Sequence, residues 1–137
     1  MIIREIQMKD IEQCLNLLSQ LTIVCDIENQ EDILNQITQQ NITIYVIEDN
    51  NSILGISSIL IEQKFIHNGG RVGHIEDVVV DKKSRGLGVG KMLIEKCVEK
   101  AKQEGCYKVI LDCDRKNVGF YTKCGFHEKG ICMRLDL

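Results

Sequence analysis

Residues 85 to 90 read Arg-Gly-Leu-Gly-Val-Gly and stand between a β-branched run that ends at Val80 and the periodic stretch Val89, Met92, Leu93, Cys97, Ala101. Apolar spacing changes across the glycines from that of a strand to that of a helix, so this segment must fold as strand, turn, helix. Alternate glycines admit positive φ and close backbone approach, turning successive N–H groups toward one point. The following helix start adds partial positive charge, and the combination suits a phosphate. Arg85 and Lys91 flank the loop, one a planar fork and the other a point charge.

Two nucleotide-binding loops fail on spacing. A nucleoside-triphosphate loop needs glycine at 85 and a hydroxyl at 92 to accompany Gly90-Lys91, but Arg85 and Met92 stand there. A dinucleotide fingerprint needs a third glycine at 91, where Lys91 stands, although Asp112 falls near the distance of a ribose contact.

The rest of the chain predicts βααβββαβαβ. Ile2 to Ile6 alternates as a strand, and Ile11, Leu15, Leu18 and Leu21 recur at helical spacing behind an Asp10 cap. A second helix is expected over Glu31 to Gln40, then strands over Ile42 to Ile47 and Ile53 to Ile61 around an Asn50-Asn51 turn. After Asn68-Gly69-Gly70 come a strand over Arg71 to Val80, the helix ending at Gly105, a strand over Tyr107 to Leu111, and a short helix over Asn117 to Cys124. Alternation from Ile131 to Leu137 predicts a terminal strand. Early hairpins and a late strand-helix-strand unit imply an α/β (α+β) fold, a mixed sheet with helices on its faces.

The 137 residues, 44% apolar, suffice for one core, and residues 1 to 137 are expected to form one domain. A net charge of -3 excludes the basic stripe that nucleic acid requires. Seven cysteines without a CxxC pair fit neither a disulfide framework nor zinc, so reduced thiols in the cytoplasm are expected, with Cys14, Cys97 and Cys113 as core residues. The charged N-terminal stretch around Arg4, Glu5, Lys9, Asp10 and Glu12 predicts neither leader nor membrane span.

The pattern Arg85-x-x-Gly88-x-Gly90, between strand and helix, resembles the coenzyme A pyrophosphate loop of the GNAT acetyltransferases. Four strings sharpen the resemblance to the glucosamine 6-phosphate N-acetyltransferase family: Lys64 to His67, Gly73 to Val80, Gly105 to Cys113, and Asn117 to Phe126. The resemblance implies direct transfer of acetyl from acetyl-CoA to the amine of D-glucosamine 6-phosphate, a step toward UDP-N-acetylglucosamine, without a metal. It also implies a homodimer in which each site receives residues from the partner. Alternatives are a GNAT enzyme with another amine acceptor and a non-catalytic acetyl-CoA sensor.

By the same resemblance, the strand at Glu76-Asp77-Val78 bulges, and an N–H near Val78 polarises the thioester carbonyl. Val78, Val79, Val80, Arg85, Gly86, Leu87, Gly88, Val89, Gly90, Lys91, Asn117, Tyr121 and Lys123 are the expected coenzyme contacts. Thr22, Lys64, Phe65, Ile66, His67, Glu76, Asp77, Val78, Asp112 and Arg134 are the expected acceptor contacts. Asp112 is expected to hold the amine or accept its proton, and the Tyr121 hydroxyl to serve the leaving thiolate. Regular strand alternation sends Glu76 and Asp77 to opposite faces, and His74 is read as a packing residue.

Overall fold

The computed structural model describes residues 1–137. In chain order the elements are β1 (Ile2–Glu5), α1 (Ile11–Leu18), α2 (Gln30–Thr38), β2 (Ile42–Asp49), β3 (Ser52–Gln63), the single turn α3 (Ile66–Gly69), β4 (Arg71–Val80), α4 (Val89–Gln103), β5 (Cys106–Ile110) and α5 (Val118–Lys123). The five strands lie side by side in sequence order. The first three junctions are antiparallel and β4 runs parallel to β5, as a crossover through α4 requires.

Each sheet face has its own core. Val89, Leu93, Ile94, Cys97 and Ala101 place one stripe of α4 on Tyr45, Ile47, Ile59, Ile61 and Ile75. Ile11, Cys14, Leu17 and Leu34 from α1 and α2 pack on Ile44, Val46, Ile56 and Val79. Leu93 is fully buried, so its truncation to alanine is expected to cost about 3 kcal/mol.

Three expectations are corrected. Ile131–Leu137 forms no strand; Ile131, Met133 and Leu135 are 87%, 87% and 84% exposed. Alternation supplies an apolar face, but a strand exists only where a neighbouring edge takes its amides and carbonyls. Asp10 does not cap α1. It ends the 3-10 turn Met8–Asp10 in helical geometry, and its carboxylate turns back to the Gln7 N–H (2.7 Å) and the Arg4 guanidinium (2.7 and 3.0 Å). Cys14 and Cys97 are buried, but Cys113 is exposed because β5 stops three residues before it.

Candidate active site

The ladder between β4 and β5 ends at the pair His74–Ile110. Beyond it the strands diverge and open a groove of about 1040 Å³, lined among others by His74, Glu76, Asp112, Cys113, Val118 and Tyr121. Glu76 and Asp112 each follow the last paired residues by two positions, which sets them across the opening from one another. The Glu76 carboxyl is raised above its ordinary range, first by desolvation in the groove and then by the charges of Asp112 and Asp77. Tyr121 is pushed up to about 12, chiefly by burial, so its hydroxyl keeps its proton through neutral pH. Phe120 and Phe126 hold the Tyr121 ring edge-on at 4.9 and 6.2 Å.

Asp77 has φ 52°, and Asp77 and Val78 together face Ser57 without ladder partners. This is a bulge, and it suspends the alternation expected of Glu76 and Asp77. Ile75 and Val78 both pack on the α4 side, while Val79 enters the opposite core. Ser57 is fully buried opposite the bulge, with its hydroxyl 3.3 Å from the Cys97 thiol of α4.

Past β4, Gly86 and Gly88 have φ of 82° and 80°, and open space surrounds the position of a Cβ at either residue. Their glycine identity therefore serves backbone conformation, whereas Gly90 lies under Phe120, where a Cβ would stand 3.1 Å from the ring. That contact seats α5 beside the start of α4. No amide from Gly86 to Lys91 donates to another group of the chain, and no side chain caps α4. Arg85 has no carboxylate within ion-pair distance, and Lys91 has only the exposed Glu95 at 3.7 Å. These donors and cations fit a pyrophosphate. Val79 and Val89 commit their side chains to the cores and offer only backbone here. Leu87, Asn117 and Lys123 are exposed beside the loop and along α5.

The other candidates lie elsewhere. Thr22 follows α1, and nearby Gln20 bonds Asp81 and the Lys82 N–H, both at 3.2 Å, so this segment sits at the loop end of β4. Lys64 to His67 form the turn at the opposite end of β4, with Phe65 and Ile66 exposed. His67 of this turn stacks on Tyr107, and strand rise puts Tyr107 about 17 Å from Asp112. Arg134 is exposed and paired only with Asp136 at 2.7 Å. A single chain thus brings together Glu76, Asp77, Val78, Asp112 and Tyr121 beside the loop; Lys64 reaches only the rim, through Glu62 and the groove residue His74, and Phe65 to His67 and Arg134 do not line it.

Sequence reading missed Glu62. Its carboxylate sits 2.8 Å from His74 Nε2 and 3.1 Å from Lys64 Nζ, so His74 belongs to a polar cluster. Counting back from the β3–β4 turn gives the register that makes Glu62 and His74 diagonal neighbours.

Residues 11–126 match the model of the acetyltransferase (GNAT) family. The chain belongs to that family. A probable glucosamine 6-phosphate N-acetyltransferase 2 of Oryza sativa is 51% identical over 83 residues, 61% of this chain and 50% of the relative. The match thus spans about half the length of the rice protein. The glucosamine 6-phosphate N-acetyltransferase of Arabidopsis thaliana is 38% identical over 96% of this chain and 93% of its own. Its crystal structure superposes with a TM-score of 0.94 over 98% of this chain and 97% of that one. A Trypanosoma brucei acetyltransferase, 38% identical, superposes at 0.95 over 99% of each chain.

Proposed function

We propose that the chain transfers acetyl from acetyl-CoA to the amine of D-glucosamine 6-phosphate by direct attack, giving N-acetyl-D-glucosamine 6-phosphate for UDP-N-acetylglucosamine synthesis. The observation that carries this reading is the juxtaposition, at one opening of the sheet, of Glu76, Asp112 and the proton-retaining Tyr121, next to the bulge at Asp77 and a glycine loop with unpaired amides. The names of the rice and Arabidopsis relatives support the choice of acceptor.

When bound, acetyl-CoA supplies an acyl thioester. The amides of Gly86 to Lys91, with Arg85 and Lys91, hold its pyrophosphate, and Asn117 and Lys123 add contacts from the α5 side. The Val78 N–H, freed by the bulge, donates to the carbonyl oxygen as negative charge grows there. Asp112 holds the acceptor ammonium and takes its proton, directly or through water, and the released amine forms the new N–C bond. Tyr121 gives its hydroxyl proton to the departing sulfur as the C–S bond breaks, and the second N–H proton lost by the nitrogen as the amide forms returns to the Tyr121 oxygen through water. Glu76 and Asp77 bind sugar hydroxyls, and Thr22 closes the loop end of the groove.

The protein acts as a homodimer in the cytoplasm. In this reading the Lys64–His67 turn and Arg134 serve the groove of the second copy, where they meet the sugar phosphate, and the separation of about 17 Å along the strand between the turn and Asp112 supports it. The exposed Ile131, Met133 and Leu135 support an interface through the C-terminal segment.

Coenzyme A release measured with glucosamine 6-phosphate, glucosamine and a lysine peptide tests the reading. Turnover of the sugar phosphate well above the other two is expected, and turnover of the peptide alone overturns it. Sedimentation as a monomer under active conditions overturns the dimer.

A further inference from the structure

The turn at 64 to 70 is held in an uphill conformation. His67 and Asn68 have φ of 51° and 56°, followed by Gly69 at 71°, so three consecutive residues are left-handed and two of them carry a Cβ. Such residues persist only where the surroundings enforce them. Two devices do so. The Gln63 side-chain amide donates to the carbonyls of Lys64 at 3.1 Å and Gly69 at 2.6 Å. The Tyr107 ring lies against the His67 imidazole with centroids 4.0 Å apart and planes 27° from parallel.

Several features show that the turn is fitted to that ring. At Gly70 a Cβ would stand 2.7 Å from the Tyr107 Cδ1, so the chain has no side chain where the ring passes. The Lys108 ammonium sits 5.6 Å from the ring centroid. The Tyr107 hydroxyl is buried without a hydrogen-bond partner, so the ring face makes the contacts and the oxygen makes none. Tyr107 is also the second residue of β5, the strand that leads to Asp112, which ties the turn to the frame of the acetyl-transfer groove.

We propose that Tyr107 is a positioning residue for acceptor binding: its ring holds His67 and the left-handed turn so that Lys64 and His67 are presented to the sugar phosphate. This rests on the reading that the turn binds the acceptor.

The test is steady-state kinetics of the full-length protein with glucosamine 6-phosphate and acetyl-CoA varied separately. Tyr107→Leu raises KM for glucosamine 6-phosphate by about tenfold, with kcat and the KM for acetyl-CoA within about twofold of the parent. Tyr107→Phe keeps the ring and restores parental values. Gly70→Ala, which pushes the ring aside, moves the same constant in the same direction and serves if Tyr107→Leu fails to fold. Lys64→Ala and His67→Ala test the underlying reading. If they raise the acceptor KM while Gly70→Ala and Tyr107→Leu leave it unchanged, the role of Tyr107 is refuted and the turn keeps its assignment. If neither Lys64→Ala nor His67→Ala changes it, the turn does not bind the acceptor and the proposal falls with that reading. A Tyr107→Phe variant as impaired as Tyr107→Leu also overturns it, since the hydroxyl would then carry the effect.

Discussion

Asp112 stands across the open end of the β4–β5 ladder from Glu76, and its charge adds to burial in holding the Glu76 carboxyl above the ordinary carboxylate range. Replacing Asp112 with asparagine removes that charge and leaves burial and Asp77 in place. The Glu76 titration midpoint, followed by carboxyl carbon NMR, should move down; an unmoved midpoint would show that the two do not interact. The same variant should lose turnover by on the order of 10²-fold while retaining acetyl-CoA affinity.

Tyr121, raised to about 12, is a proton donor across the physiological range. Tyr121→Phe is expected to lower kcat by about 10- to 100-fold with little change in the KM for acetyl-CoA. A variant with the parental rate would remove Tyr121 from the chemistry.

Gly88 and Gly90 separate two reasons for glycine in one loop. Gly88→Ala forces a Cβ onto a residue at φ 80° with nothing around it, so the loop must relax to another conformation at a cost of about 1 kcal/mol or more. Calorimetry should show weaker acetyl-CoA binding with a small change in thermal midpoint. Gly90→Ala instead meets the Phe120 ring and Val80, so it should also dislodge α5 and impair Tyr121. Equal binding and rate losses in the two variants would refute the distinction.

Arg4 and Asp10 form the bidentate pair that joins β1 to the start of α1. Asp10 is 3% exposed, and the Arg4 guanidinium, then the Gln7 N–H, hold its carboxyl below its ordinary 3.8. A depressed carboxylate contributes stability that is present above the unfolded-state value and is lost as pH falls through the folded-state one. Urea midpoints should therefore hold down to about pH 4.5 and decline below it. Asp10→Asn should cost about 2 kcal/mol at pH 7 and flatten that decline, since the Arg4 and Glu48 side chains keep some access to water.

The β4–loop–α4 unit was legible because two periodicities meet at glycines, and the β2–β3 hairpin because Asn50 and Asn51 tolerate positive φ, here 47° and 64°. The terminal strand was misread because Ile131, Met133 and Leu135 have the alternation of a strand but no edge to join. Asp10 has the residue type of a cap, yet a preceding 3-10 turn that spacing does not announce redirects its carboxylate. The groove carboxylates stood out as polar residues in apolar strands. Glu62 did not, because its meaning depends on lying diagonal to His74, and register is a property of two strands together. The stack of His67 on Tyr107 joins residues 40 positions apart and has no local signature.

The bulge at Asp77 acts on β4 as a shift of reading frame acts on a message. Ile75, before it, feeds the core under α4, and Val79, beyond it, feeds the core under α1, although their parity alone would put them on one face. Inserting a single residue here would turn Val79 toward the wrong core and carry the glycine loop with it, and deleting one would close the bulge and leave no unpaired Val78 N–H. The loop at 86 to 90 is exposed and has room for change, but its aim is inherited from a residue counted in the strand before it. Length variation among functional descendants of this chain should therefore accumulate on either side of Glu76 to Val80 and be absent within it.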